Sequence, residues 1–366
     1  MKLLELHLLN FKSFKEASVS VDAEVNCFSG FNGEGKTNML DALRYLSMCK
    51  SYFNSADYQN INHDEESFLI KGIVSKHDET DTLTCAVSRS SKKVFKRNKK
   101  EYQRLSDHIG LYPSVMISPT DEDLIKEGSE IRRRFINGII AQYDKSYLND
   151  MVQYKRALNQ RNRLLKHFQI ERQFDFTSLE IYDYKLIDLN ERIYEKRNKF
   201  ISEFIPWFQN LHEQISGNKE RVELEYKTTC NANLTEQFKC SLEKDKFSAR
   251  TNVGVHKDDL EFTIESYPIK KFGSQGQQKT FLIALKLAQS LFMEQATGLK
   301  PFLLLDDIFD KLDEQRVANL MKLVSENKFG QIFITDTDDN RVPELFKDLS
   351  ISMNTYRINS GNITPL

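Results

Sequence analysis

No apolar run in this chain approaches the roughly 18 residues that a membrane-crossing helix requires. The opening stretch MKLLELHLLNFKSF carries charges where a secretory signal needs an unbroken apolar core. Those two absences predict a cytoplasmic protein with no membrane partner. No two of the five cysteines (Cys27, Cys49, Cys85, Cys230 and Cys240) form a C-x-x-C pair. That argues against a zinc site or a disulfide framework and for buried free thiols in a reducing compartment. Net charge is nearly absent as well, at −1, so any surface for a polyanion must be a local patch. Sustained heptads, internal repeats and low-complexity linkers are missing, which excludes a long coiled-coil tether. No helix-turn-helix or zinc-finger signature supports base-specific reading of nucleic acid.

What is present starts at residue 30. The stretch GFNGEGKTN, residues 30–38, matches G-x-x-x-x-G-K-[ST] with Gly30, Gly35, Lys36 and Thr37 in place. Glycines at this spacing let the loop Gly30, Phe31, Asn32, Gly33, Glu34 and Gly35 turn its N–H groups inward on a phosphate. The helix that begins with Lys36, Thr37 and Asn38 adds the positive end of its dipole. Lys36 can reach the β- and γ-phosphates, and the Thr37 hydroxyl can ligate Mg²⁺. The flanks agree: VNCF reads as a strand before the loop, and TNMLDALRYLSM repeats its apolar residues at helical spacing. The loop predicts ATP and Mg²⁺ as cofactors without saying which nucleotide machine this is.

At 366 residues the chain exceeds the about 250–300 at which a single core stops growing, so two lobes are expected. Residues 1–115 and 250–366 read as short strands with turns and a few helices, an α/β nucleotide lobe built from both ends of the chain. Residues 116–249 read as an inserted, mostly helical second lobe, with Pro206 expected to bend or break its last long helix.

Two further motifs carry chemistry. PFLLLDDIFDKLD, residues 301–313, is a buried strand delivering carboxylates at its C-terminal end, where ligands sit in parallel sheets. Asp306 is the candidate Mg²⁺ ligand beside Thr37. Asp307 is the candidate catalytic base beside the catalytic Lys36. KFGSQGQQKT, residues 271–280, opens an amphipathic helix with Ser274 as its N-cap. Taken alone it is a capped helix. In a chain that already holds a phosphate loop, Ser274, Gly276 and Gln277 form a second anion-binding terminus, which two subunits arranged head to tail would use in trans.

Together, in this order, the three motifs resemble the ABC-type P-loop ATPase heads of the SMC family. Across essentially the whole chain the sequence resembles the RecF branch of that family. The likeness is carried by L-x-N-F at residues 8–11, GFNGEGKTN, ISPTDEDLIKEGSEIRRRFIN, YKRALNQRNRLLK, HKDDLEF, SQGQQKT and LLLDDIFDKLD. It implies an ATP-dependent homodimer on DNA with weak ATP hydrolysis. It also implies double-stranded and gapped DNA as partners, and work with RecO and RecR to load RecA. By resemblance, Ser274, Gly276 and Gln277 are contacts in trans, and Leu312–Asp313 crosses the dimer interface. Some positions depart from the pattern. Asp307 stands where ABC heads carry glutamate, Thr335 or Asp336 where they carry a switch histidine, Asn137 where an aspartate is expected and Lys257 where an arginine is expected. No glutamine marks the lobe-coupling loop near residues 118–123. A transporter subunit would share the nucleotide motifs, but more than 230 residues separate the loop from the signature. A non-hydrolysing ATP clamp, or an ABC ATPase with another partner, remains as the alternative.

For DNA the sequence offers charge only. Lys92, Lys93, Lys96 and Arg97 fall in SKKVFKRNKK, expected to be a hairpin tip. Arg132, Arg133 and Arg134 lie on a helix of the inserted lobe, as does the set Lys155, Arg156, Arg161, Arg163 and Lys166. Each cluster reads equally well as a DNA contact or as solvated surface.

Overall fold

The computed structural model describes residues 1–77, 79–230, 233–310, 312–326 and 328–366, and for Ser325 the backbone alone. The chain divides into two units, residues 1–122, 207–220 and 274–366 forming the first and residues 123–206 and 221–273 the second.

In the first unit the chain runs through β1 (Lys2–Phe11), β2 (Phe14–Ser20), β3 (Val25–Ser29), α1 (Lys36–Met48) and β4 (Ser67–Lys76). It continues through β5 (Glu79–Ser88), β6 (Val94–Arg97), β7 (Lys100–Glu101) and β8 (Ser114–Ile117). The second unit holds α2 (Asp123–Lys126), α3 (Ser129–Tyr143), α4 (Lys145–Glu171), most of α5 (Phe176–Ser216), β9 (Val222–Lys227), α6 (Leu234–Ser248), β10 (Asp259–Ile264), β11 (Tyr267–Pro268) and α7 (Ile269–Phe272). The first unit is completed by α8 (Gln275–Thr297), β12 (Phe302–Asp306), α9 (Glu314–Ser325), β13 (Ile332–Asp336), α10 (Arg341–Phe346), β14 (Met353–Asn359) and β15 (Asn362–Pro365).

The first unit is built on two sheets. One is antiparallel, in the order β2-β1-β4-β5-β6-β7. Along β4 and β5 every second residue is buried, as a sheet with one solvated face requires. The other has the order β15-β14-β3-β13-β12-β8, parallel from β14 to β8. Strands β3, β13 and β12 and the edge strand β8 are buried at every position, which is why they read as continuous apolar runs. Helix α1 contributes Met39, Leu40, Ala42, Leu43, Tyr45 and Leu46 to the core, together with side chains from both sheets. Tyr45, Phe11 and Phe68 meet edge to face there.

The second unit contains more than helices. Strand β10 pairs along its length with β9, and β11 pairs with β10. Residues 250–273, assigned from the sequence to the nucleotide lobe, therefore fall in the second unit, because β10 has its pairing partner there. Residues 116–122 and 207–220 fall in the first. Pro206 does not end α5, which runs on to Ser216 and passes from one unit to the other at that residue.

Buried arginines hold the second unit together. Arg161, fully buried, donates to Asp183 (2.5 Å), Asp245 (2.6 Å) and Thr251 (3.0 Å). Arg197 donates to Asp258 (2.8 Å), the Val255 carbonyl (2.8 Å), Tyr147 (3.0 Å) and Asn137 (2.9 Å). An amide serves at Asn137 because its carbonyl oxygen need only accept, from Arg197 and from Tyr147 (2.6 Å). Truncating a buried arginine of this kind strands its carboxylate, at a cost of about 3–5 kcal/mol.

Three histidines make folding sensitive to acid. Burial pushes His108, His212 and His256 from 6.5 down to about 4. Unfolded, each binds a proton below about pH 6.5, whereas folded it stays neutral until about 4. Their contribution is thus fully present above pH 6.5 and is lost as pH falls toward 4. Where all three differ, the slope is about 1.4 kcal/mol per pH unit for each. Calorimetric melting should show Tm falling from pH 6.5 to 5, and a flat Tm would contradict the assignment. No helix among the described residues is long and apolar enough to cross a membrane.

Candidate nucleotide site

The carboxyl ends of three adjacent parallel strands meet at one place. The register sets Asp306 of β12 against Thr335 of β13, and Thr335 against Phe28 of β3. Each strand then hands the chain to a loop, so the phosphate loop after β3 lies beside the carboxylates at the end of β12. A cavity of about 230 Å³ results, lined by Asn32, Gly33, Gly35, Lys36, Thr37, Asn38, Pro119, Asp306, Asp307 and Thr335.

The loop is shaped by its glycines. Gly30, Gly33 and Gly35 have φ of 145°, 90° and 113°, values that side-chain-bearing residues rarely adopt. A Cβ on Gly30 would stand 2.3 Å from the Ile358 carbonyl oxygen, and one on Gly35 2.6 Å from Ser13 Oγ. Lys36 Nζ donates to the carbonyls of Gly30 (2.7 Å) and Phe31 (2.9 Å), which curls the ammonium back over the loop. Burial lowers the Lys36 pKa, and the charges of Asp307, Asp306 and Asp336 oppose that shift. Glu34 accepts from the Ser360 backbone N–H, and Asn38 donates to Ser13 Oγ (2.9 Å), so both flank the loop without touching its carbonyls. Phe31 is 70% exposed and points away from the core.

The metal candidates lie together. Thr37 Oγ1 donates to Asp306 at 2.9 and 3.1 Å, and Thr335 Oγ1 (2.8 Å) and Ser118 Oγ (3.3 Å) also donate to that carboxylate. Burial raises the Asp306 pKa, and the three hydroxyls counter it. A hydroxyl and a carboxylate sharing one edge of a phosphate-sized cavity are the hard oxygen donors that Mg²⁺ takes. Of the two residues at the switch position, Thr335 reaches the site. Asp336 is held instead by the Asp338 N–H (2.9 Å) and Arg341 (3.4 Å).

A second cavity of about 470 Å³ adjoins the first and shares Thr37 and Asn38 with it. Lys12, Ser13, Phe53, Asn54, Gln59, Ile61 and His63 complete its lining. Lys12 is anchored by Asp41 at 2.6 Å and lies over the Phe53 ring. Sequence reasoning missed this pocket because two stretches without a motif of their own, 12–13 and 53–63, join the phosphate-loop residues Thr37 and Asn38 to build it. The loop at 118–121 needs no glutamine to be tied in. The Ser118 N–H donates to Asp121 (2.9 Å), and Asp121 pairs with the buried Lys286 of α8 (2.7 Å).

Ser274, Gly276 and Gln277 do not line the Lys36 cavity. Ser274 is exposed and closes a capping box: its Oγ accepts from the Gln277 N–H (3.2 Å), and its own N–H donates to Gln277 Oε1 (2.8 Å). The Ser274 hydroxyl hydrogen is therefore left to donate outward. Gly276 O accepts from Arg316 (3.1 Å), whose Nε also meets Asp313 (3.1 Å).

The basic clusters separate into engaged and open residues. Arg132 grips Asp259 with two bonds (2.7 and 2.9 Å), and Arg133 donates to the Asp258 carbonyl (2.6 Å). Lys93 is bound to Asp57 and the Cys49 carbonyl (both 2.7 Å), and Arg97 to Asp81 (2.9 Å). Arg161 is buried. These five act within their own units, because folding places a carboxylate or carbonyl against each. Arg134 is exposed, with Glu130 one turn away as its partner. Lys92, Lys96, Lys99 and Lys100 have no ion pair among the described residues, and Asn98–Lys99 makes the predicted hairpin tip with both φ positive.

Comparison with known proteins agrees with this geometry. Residues 2–359 match the family described as RecF/RecN/SMC N terminal domain. The DNA replication and repair protein RecF of Flavobacterium johnsoniae is 48% identical over 359 residues, covering 98% of this chain and 99% of that protein. A solved structure of the recombination mediator protein RecF-ATP in the RecFOR pathway is 30% identical, with a TM-score of 0.89 over 100% of this chain and 97% of that one. An Smc head domain from Pyrococcus furiosus shares the fold at a TM-score of 0.58, covering 100% of this chain and 96% of that one at 18% identity.

Proposed function

We propose, from the premise that this chain belongs to the RecF family of SMC-type ATPase heads, that it is a cytoplasmic, ATP-dependent DNA-binding protein of recombinational repair and replication maintenance. The observation that carries the reading is the convergence of Lys36, Thr37, Asp306 and Asp307 on one cavity. The loop would take the phosphates of ATP, and the adjoining Lys12–Phe53 pocket would take its base. Thr37 and Asp306 would hold Mg²⁺, which would supply charge neutralisation to the phosphates. Asp307 orients a water and takes its proton as the water oxygen bonds to the γ-phosphorus. The bond to the β–γ bridging oxygen breaks, and ADP and phosphate leave. Lys36 balances charge on the transferred group. Turnover is slow, because the Asp307 carboxylate is one methylene shorter than the usual glutamate.

The exposed Ser274 terminus serves a second subunit, so ATP drives a head-to-tail dimer on duplex and gapped DNA. RecR, with RecO, is the partner that leads to RecA loading. Sedimentation with ATP, with ADP, and with or without gapped duplex tests the whole reading. A dimer is expected with ATP and further with DNA, and a monomer throughout would overturn it. Single-turnover assays with DNA separate a slow ATPase from a non-hydrolysing clamp.

DNA is expected to be bound without sequence preference, through phosphates, from the open cations. Reversing Arg134, or Lys96 and Lys99 together, should weaken all duplexes alike. The slope of log K against log salt should flatten by about 0.9 for each phosphate no longer neutralised. Unchanged affinity in both variants would move the DNA face elsewhere.

A further inference from the structure

Asp307 is the one residue of the cavity lining other than glycine with a positive φ, at 48°. A left-handed backbone costs a residue with a Cβ about 1–2 kcal/mol, so it persists where neighbours over-determine it. Two neighbours do so here. The Asp307 N–H donates to Thr335 Oγ1 (3.1 Å), while the Thr335 hydroxyl hydrogen goes to Asp306 (2.8 Å). On the other side, Lys279 Nζ of α8 donates to the Asp307 carbonyl (3.2 Å) and to the Asp310 carbonyl. The residue is thus held at both its N–H and its C=O by side chains from two different elements.

We propose that Thr335 and Lys279 are positioning residues that hold Asp307 in its left-handed conformation and so aim its carboxylate at the attacking water. The arrangement gives a physical reason for aspartate in place of glutamate. Among residues other than glycine, aspartate and asparagine enter this region most readily. It also gives the signature helix a route to the base within its own subunit, since Lys279 lies five residues beyond the Ser274 cap on the same helix. The inference rests on the hydrolytic reading above.

The test is ATP affinity by fluorescent nucleotide, together with single-turnover hydrolysis, for Thr335→Val, Thr335→Ser, Lys279→Met and Asp307→Asn. Thr335→Val and Lys279→Met are expected to slow hydrolysis at least about tenfold, with Lys279→Met keeping ATP affinity within about twofold. Thr335→Ser, which keeps the hydroxyl, should recover to within about threefold of wild type. Thr37, Thr335 and Ser118 are the donors to Asp306, and Lys279→Met leaves all three in place. In an Asp307→Asn background, Lys279→Met should add nothing further, because there is no base left to aim. Wild-type hydrolysis with Lys279→Met unaffected, or an additive loss in the double variant, would overturn this inference alone. A wild-type chain that binds ATP but never turns over would overturn the hydrolytic reading and this inference together.

Discussion

Lys36→Ala is expected to weaken ATP binding about 10- to 100-fold, the range for losing a charge-assisted hydrogen bond of roughly 1.5–3 kcal/mol. The substitution also removes the Lys36 bonds to the Gly30 and Phe31 carbonyls, but the glycines and the Asn38 and Glu34 ties remain to shape the loop. Asp307→Asn should behave in the opposite way. The amide keeps the volume and leaves Thr37 and Asp306 in place, so ATP affinity should stay within about threefold. Hydrolysis should fall by about 10²–10⁴, the usual contribution of a positioned base. Isothermal titration with ATP and single-turnover phosphate release read the two effects separately. Equal ATP affinity for Lys36→Ala and wild type would remove the phosphate-site assignment. Undiminished turnover in Asp307→Asn would remove the base.

Ser274→Arg is expected to abolish ATP-driven dimers while leaving ATP binding to the monomer nearly intact. The Lys36 cavity includes no atom of Ser274, so the substitution does not touch it. What it removes is a hydroxyl donor at the positive end of a 23-residue helix. A long side chain then blocks the approach of a γ-phosphate held by another subunit. ADP lacks that phosphate and should not support dimers of the wild type either, because it offers no difference in affinity between the open and closed states. Mixing gives the sharper result. A Ser274→Arg subunit paired with a Lys36→Ala subunit forms one composite site with both Lys36 and Ser274 present. Partial recovery of hydrolysis in the mixture is therefore expected, from proteins each nearly inactive alone. A Ser274→Arg protein that sediments as a dimer with ATP would reduce this terminus to a structural cap.

By themselves, the residues of this chain determined the three motifs whose form is local. A phosphate loop needs glycines at fixed spacing, since only they adopt φ near 90–145° next to other backbone. Gly30, Gly33, Gly35, Lys36 and Thr37 were therefore legible at residue resolution. Asp306 and Asp307 were legible as candidates because a fully buried parallel strand reads as a continuous apolar run, and the carboxylates stand at its end. The cap at Ser274 was legible for the same local reason. Tertiary structure alone decided which charges remain available. Arg132, Arg133, Lys93, Arg97 and Arg161 are as basic in sequence as Arg134 or Lys99, yet each meets a carboxylate or carbonyl contributed from elsewhere in the chain, up to 127 positions away for Arg132 and Asp259. Tertiary structure also placed 250–273 with β9, built the Lys12–Phe53 pocket from three separate stretches, and brought Thr335 rather than Asp336 against Asp306. Composition and periodicity record what one residue does to its near neighbours along the chain. Pairing of charges and the lining of cavities depend on which distant segments fold against each other, and no local pattern carries that information.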